Sequence, residues 1–197
     1  DVMRFLDNVL SDFINKAPEQ FKDAKYSAER ERSVGLGVMG FHSFLQKKRI
    51  PLESVMAKSW NKKIFKNIHE KVNQASKDLA EERGACPDAA EYGFKERCSN
   101  KTAIAPTASI SIICGGASPG VEPIAANSYT HKTLSGSFNV RNRYLEEILE
   151  SHGKNDDETW STITTNQGSV SHLDFLTDLE KDVFKTAFEL NQKWIIE

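Results

Sequence analysis

Thr107, Ser109 and Ser111 set three hydroxyls close together, directly after Pro106 and directly before the apolar trio Ile112-Ile113-Cys114. The run before them, Thr102-Ala103-Ile104-Ala105, is β-branched and apolar and reads as a short buried strand that Pro106 closes. A Gly-Gly-Ala-Ser-Pro-Gly loop follows, ending in Val121-Glu122-Pro123. Strand, sharp turn and short helix are therefore predicted, with hydroxyls and free backbone N–H groups at the helix start. The first N–H groups of a helix lack intrahelical partners and the peptide dipoles add up there, so such a start can take an anion. The same residue types also fit a plainer arrangement, in which Thr107 caps the helix and binds nothing.

Other residues invite chemistry and support it less well. Gly35, Gly37 and Gly40 satisfy the Gly-x-Gly-x-x-Gly pattern of dinucleotide-binding turns, and Glu53 stands near the distance of the ribose-binding acid. That pattern requires a buried strand before it, whereas Glu29-Arg30-Glu31-Arg32 precedes it here. Glu53 belongs to a Pro-Leu-Glu-Ser helix start. The run reads better as a short buried strand over 33–38, with glycines that let a helix or a ligand come close, followed by a helix from Phe41. Cys86, Cys98 and Cys114 form no Cys-x-x-Cys pair, and His42, His69, His131, His152 and His172 share no ligand spacing with them. Unpaired core or surface thiols in a reducing compartment are expected, and no metal site.

The 197 residues carry 26 basic and 28 acidic side chains, a net charge of -2, so no single-sign field points to DNA, RNA or an anionic membrane. No apolar run approaches the ~20 residues of a membrane span. Asp1 to Ala17 is an amphipathic helix in which Val2, Phe5, Leu6, Val9, Leu10, Phe13 and Ile14 form the apolar stripe. Pro18 to Arg32, with alternating charges, is a solvated short helix or loop. The longest helix is expected over about Leu52 to Arg83, stopped by Gly84, its stripe formed by Val55, Trp60, Ile64, Ile68, Val72, Ala75 and Leu79. At about 1.5 Å per residue it spans some 45 Å. Cys86 to Asn100 is a polar connector that Tyr92 and Phe94 could anchor. Ile124 to Val140 alternates like an extended strand or ordered loop. Asn142 caps a helix through Tyr144, Leu145, Ile148 and Leu149, stopped by Gly153. A further strand is expected around 162–166, and Leu179 to Glu197 is a second amphipathic run. Helices separated by single short strands argue for an α/β architecture with largely parallel strands. Both end helices lack terminal signals, so the chain is expected to be a segment of a longer protein.

Three stretches then carry a resemblance: Ala105-Pro-Thr-Ala-Ser-Ile-Ser111, Ser118-Pro-Gly-Val-Glu-Pro123, and Asn127-Ser-Tyr-Thr-His-Lys-Thr-Leu-Ser-Gly-Ser-Phe-Asn-Val140. With Leu6-Asp-Asn-Val9, Arg32 to Gly40, Leu79-Ala-Glu-Glu-Arg-Gly84 and Glu189 to Glu197, they resemble the large (α) subunit of class I ribonucleotide reductase, in versions like those of large DNA bacteriophages. The resemblance implies a ten-stranded α/β barrel of two five-stranded halves, of which residues 1–197 would be part of the second, cut at both ends. It implies reduction of ribonucleoside diphosphates at the 2′ carbon by radical chemistry. Thr107 and Ser109 would hydrogen-bond the substrate diphosphate through their hydroxyls, with the N–H groups of Ala108, Ser109 and Ile110 completing the cradle. No catalytic residue is implied in this chain, since the family's cysteines would lie upstream and downstream and Cys86, Cys98 and Cys114 match none of them. No cofactor is implied here either; a small subunit with a di-iron/tyrosyl-radical centre would be the partner, and ATP/dNTP effectors would bind elsewhere. A large-subunit homodimer, a cytoplasmic location and no DNA or membrane binding are implied too. Glu122 and His131 receive no role. The adenosylcobalamin-dependent class has a similar phosphate loop, and a helical interaction module without a ligand is the reading from a different class.

Overall fold

The computed structural model describes residues 1–134 and 136–196, with Thr133 described through its backbone alone. Ser135, inside the 127–140 stretch, and Glu197, the last residue of the Leu179–Glu197 run, thus lie outside the described residues. The chain divides into two compact units, Asp1–Gly37 with Asn61–Ala105, and Val38–Trp60 with the chain from Pro106 onward.

In the first unit, α1 (Val2–Lys16) leads through a 3₁₀ turn (Glu19–Phe21) to α2 (Lys22–Glu31). The predicted helix at the start is there, but of its apolar stripe only Ile14 is fully buried. Val2, Phe5 and Val9 are more than half exposed, while Met3, Asp7 and Ile14 are buried. A carboxylate on the inward face explains the difference. Asp7 takes bonds from Arg32, Arg83 and Arg97, so the helix turns its charged edge inward. Arg32 therefore departs from the solvated run predicted for it and is itself buried.

Small apolar side chains complete this unit: Met3, Val72, Leu79 and Cys98 pack with Val34, Leu36, Ile68 and Ala75. The strands predicted at 33–38 and 102–105 reduce to one parallel bridge, Leu36 to Thr102. Val34 N–H donates to Asn100 O, Leu36 N–H to Lys101 O and Ala103 N–H to Leu36 O, at 3.0, 3.0 and 3.1 Å. Residues 102–105 are exposed rather than buried, because among the described residues this two-segment pairing has no further strand beside it. The connector holds a short helix, α5 (Pro87–Glu91), and its anchors are Cys86, Ala89 and Cys98; Tyr92 and Phe94 point to solvent.

The helix α3 (Phe41–Lys47) opens the second unit. α4 (Val55–Arg83) starts three residues later than predicted, because Ser54 Oγ accepts from Ala57 N–H while donating to Pro51 O. Val55 is accordingly exposed, and Gly84, at φ +86, ends the helix as expected. α6 (Ala108–Ile113) is followed by an antiparallel hairpin, β1 (Ser128–Thr133) and β2 (Gly136–Arg141), registered Ser128 to Arg141 and Thr133 to Gly136. The segment expected as an extended strand or ordered loop thus folds back on itself, and among the described residues the sheet is this hairpin rather than a parallel one.

α7 (Arg143–Ser151) matches its prediction, capped by the Asn142 side chain on Tyr144 N–H and stopped by Gly153 at φ +66. α8 (Asp157–Thr165) occupies the place predicted for a strand. Its threonines satisfy themselves within the helix, Thr162, Thr164 and Thr165 donating to the carbonyls of Thr159, Trp160 and Ser161, and Asp156 caps it. Leu145, Ile148, Leu149, Trp160, Ile163 and Phe184 centre the larger core, and Leu45, Leu52, Ala57 and Leu190 a smaller one.

The run from Leu179 breaks into α9 (Asp178–Val183) and α10 (Lys193–Ile196). Three backbone donors are drawn out of a helical ladder: Thr186 N–H to the Glu189 carboxylate, Ala187 N–H to Ile124 O, and Asn191 N–H to the Glu53 carboxylate. Glu53 thereby has a structural partner set, completed by Lys185 at 2.9 Å.

Candidate functional site

The site predicted from sequence begins at Thr107, in the N-cap position of α6. Its backbone is left-handed, φ +49, an uncommon state for a β-branched residue. An N-cap side chain normally reaches the helix N–H groups from an extended backbone. Here Thr107 makes no such bond, so the plain cap arrangement is absent. Its carbonyl still accepts from Ser111 N–H at 2.9 Å, but Oγ1 accepts from Gly120 N–H at 2.7 Å, across the loop. Ser111 turns inward and donates its hydroxyl to Ala108 O.

That geometry leaves the N–H groups of Ala108, Ser109 and Ile110 without a protein acceptor among the described residues, and all three residues are exposed. Three adjacent donors at a helix start, with no competing carbonyl, can take an anion. The hydroxyls differ in state. Ser109 Oγ has no partner within the described residues, whereas Thr107 Oγ1 already accepts one bond and keeps its own proton to donate.

The loop that holds Thr107 is itself fixed from α3, through residues the sequence reading did not single out. Ser43 N–H donates to Ser118 Oγ and Ser118 N–H to Ser43 Oγ, at 3.1 and 2.8 Å, a reciprocal exchange between two buried serines. Gly40 N–H donates to Ser118 O at 2.8 Å. Further along, Ile124 N–H donates to His42 Nδ1 at 3.0 Å, which puts the ring proton on Nε2. Burial pushes the His42 imidazole down to about 4, so it is a neutral acceptor near pH 7. His42 and Ser43 follow the glycine run directly; the signal available in sequence was this polar pair at the start of an otherwise apolar helix.

In this geometry the first two glycines of the run face another chain segment. A Cβ on Gly35 would lie 2.9 Å from Ala103 Cβ and one on Gly37 2.8 Å from Ala103 O, so these glycines admit a neighbouring chain segment. Gly40 takes the left-handed conformation, φ +80, that starts α3. Cys86 and Cys98 are buried, free thiols, and Cys114 is exposed. Burial, with the nearby Asp7 charge, pushes the Cys98 thiol up to about 11, which makes it unreactive at neutral pH. Among the described residues no group of His, Cys, Asp or Glu is arranged to hold a metal ion, and no helix is long and apolar enough to cross a membrane.

Comparison with known proteins adds what geometry alone does not. The family model "Ribonucleotide reductase, barrel domain" matches residues 1–97 and 88–197. The ribonucleoside-diphosphate reductase large subunit of Invertebrate iridescent virus 6 is 49% identical over 100% of this chain and 21% of its own length. The same subunit of Invertebrate iridescent virus 3 is 46% identical over 98% of this chain and 31% of its own. Among solved structures, the class Id ribonucleotide reductase alpha subunit of Actinobacillus ureae superposes with a TM-score of 0.90 at 40% identity, over 99% of this chain and 36% of that one. The chain therefore spans between a fifth and about a third of the relatives it matches.

Proposed function

The chain belongs to the ribonucleotide reductase barrel-domain family, and on that premise we propose that it is the part of a ribonucleoside-diphosphate reductase large subunit that grips the substrate diphosphate. The observation that carries this reading is the set of three N–H groups on Ala108, Ser109 and Ile110 that have no acceptor among the described residues, beside two hydroxyls with a proton to donate. A diphosphate is an acceptor-rich anion, and charge-assisted bonds from such donors are roughly twice as strong as neutral ones. Thr107 has a second role: by accepting from Gly120 it locks the loop and turns its proton away from that N–H, toward the ligand. The segment binds and orients; the redox cysteines belong to other parts of the subunit, and Cys86, Cys98 and Cys114 take no step in the reduction.

The rest of the assembly follows from the same premise. The segment forms part of the second half of the barrel, in a large subunit that dimerises and works in the cytoplasm. A small radical-generating subunit with a di-iron centre supplies the radical, and ATP/dNTP effectors act at sites elsewhere. A dependence of the full protein on such a subunit, and not on a cobalamin, separates this reading from the adenosylcobalamin-dependent class.

The test is the pair Thr107→Val and Ser109→Ala, made together in the full-length subunit. Each lost bond to a charged group is worth roughly 1.5–3 kcal/mol, so diphosphate affinity falls by at least a hundredfold. Thr107→Ser, which keeps the hydroxyl, retains most of it. Unchanged substrate affinity in the double variant refutes the assignment.

A further inference from the structure

Behind α6 the second unit contains a cavity of about 470 Å³. Its walls are mainly apolar: Ile112, Pro119, Ile124, Ala126, Tyr129 and Val140. Gln46, from α3, lines the same cavity and is 2% exposed. Its Oε1 accepts from Asn142 Nδ2 at 3.0 Å, but its Nε2 has no partner among the described residues. The amide cannot be turned round to remove the problem. Asn142 Oδ1 is engaged by Tyr144 N–H, and Asn142 Nδ2 also donates to Asn127 Oδ1 at 2.8 Å, so an N–H₂ group is what faces Gln46. A buried donor without an acceptor carries its full desolvation penalty unless something supplies one.

The cavity also has a cation. Arg143 lines it, donates to Tyr144 OH at 2.9 Å and lies over the Tyr144 ring, with no carboxylate partner among the described residues. Arg141 beside it already has a carboxylate partner, Asp157, at 2.8 Å. Apolar walls, one buried amide donor and one uncompensated guanidinium define a narrow chemistry. We propose that this cavity binds a small organic carboxylate, one oxygen accepting from Gln46 Nε2, the charge facing Arg143 and the hydrocarbon or aromatic body against the apolar walls. Ala108 also lines the cavity, so it adjoins the diphosphate donors at the start of α6, but the groups that would recognise the carboxylate, Gln46 and Arg143, are on α3 and α7.

The test uses the full-length large subunit and 4-bromophenylacetate, with 4-bromoethylbenzene as the acceptor-free control. The carboxylate binds saturably at millimolar concentration or below and the control does not. Gln46→Met weakens binding about tenfold, one hydrogen bond's worth, and Arg143→Gln about fivefold, as for an exposed charge pair. Arg143 is exposed, so its variant folds and keeps the proposal testable if Gln46→Met does not. Anomalous scattering in soaked crystals puts the bromine among the apolar walls and the carboxylate on Gln46. Four results overturn the proposal: no saturable binding, equal binding to wild type and Arg143→Gln, displacement of the probe by cytidine diphosphate, or a cavity filled by water alone or by another segment of the subunit.

Discussion

Replacing Asp7 by Asn removes the charge on which three guanidinium groups converge. Arg32 Nε and Arg97 Nε donate to Oδ1 at 2.8 and 3.0 Å, and Arg83 Nη1 donates to Oδ2 at 2.6 Å. Asp7 has no exposed surface, and the Arg32 and Arg97 side chains are 9% and 12% exposed. The variant keeps Arg32 on Asp7 O and Ser11, and Arg97 on the carbonyls of Arg83 and Gly84. What it loses is the anion, leaving two nearly buried cations uncompensated and aiming an N–H₂ group either at both of them or at Arg83. Breaking a buried pair in this way costs roughly 3–5 kcal/mol. Glu82→Gln is the control, since Arg4 and Glu82 meet in a bidentate pair at 2.7 and 2.6 Å but are 45% and 48% exposed; it should cost under ~1 kcal/mol. The assay is amide hydrogen exchange on the full-length subunit, following α1 and the amides of Arg97 and Ser99, which donate to Ser76 O and Glu31 O. A loss of about 3 kcal/mol accelerates exchange there more than a hundredfold. Acceleration below about fivefold, no larger than for Glu82→Gln, refutes the reasoning. The pH dependence has a fixed sign. Burial pushes the Asp7 carboxyl up, but the bonds from Arg32, Arg83 and Arg97 outweigh it and hold the group below the ordinary carboxylate range. The stabilisation is therefore complete above the unfolded value of about 4 and is lost as pH falls below it. The Asn variant lacks that dependence.

His42, whose imidazole burial lowers from 6.5 to about 4, contributes stability that is full above pH 6.5 and declines as pH falls toward 4. The unfolded chain takes up the proton first, for a loss of about 3 kcal/mol. His42→Gln keeps an acceptor for Ile124 N–H and should flatten the change in thermal midpoint between pH 6.5 and 4.5; an unchanged slope counts against the role. Gly35→Ala and Gly37→Ala should each cost about 1–3 kcal/mol by overpacking. Ala103→Gly should rescue the first, which meets a side chain, and not the second, which meets a backbone oxygen. Equal rescue of both, measured by denaturant midpoints, contradicts the close approach described.

Helices with local signals were legible. Asn142 and Gly153 bound α7, and Gly84 ends α4, because a cap or a left-handed glycine acts on residues a few positions away. What surrounds an element was not legible in the same way. The apolar periodicity of Val2, Phe5 and Val9 is real, yet the inward face of α1 is set by arginines at positions 32, 83 and 97. The threonines at 162, 164 and 165 carry β propensity, but an Asp156 cap and internal hydroxyl bonds make them helical. The run after Leu179 has helical spacing, and it breaks because Ile124 and Glu53 compete for its backbone N–H groups.

For the candidate site the division lies within a single residue. That α6 begins near Thr107 with free N–H groups followed from hydroxyls after a proline, a local pattern. That Thr107 is left-handed and bonded to Gly120 depends on a loop fixed by Ser43 and His42, far earlier in the chain, and no spacing encodes it. The glycine run shows the converse error that pattern reading can make. Its three glycines match a cofactor turn by spacing, but they do unrelated things: Gly35 and Gly37 admit Ala103, and Gly40 starts α3 while its N–H is engaged by Ser118 O. A pyrophosphate turn needs its helix-start N–H groups unpaired. Among the described residues that condition is met at α6, which no glycine motif precedes, whereas at α3, which follows one, Gly40 N–H and Ser43 N–H are already bonded to Ser118.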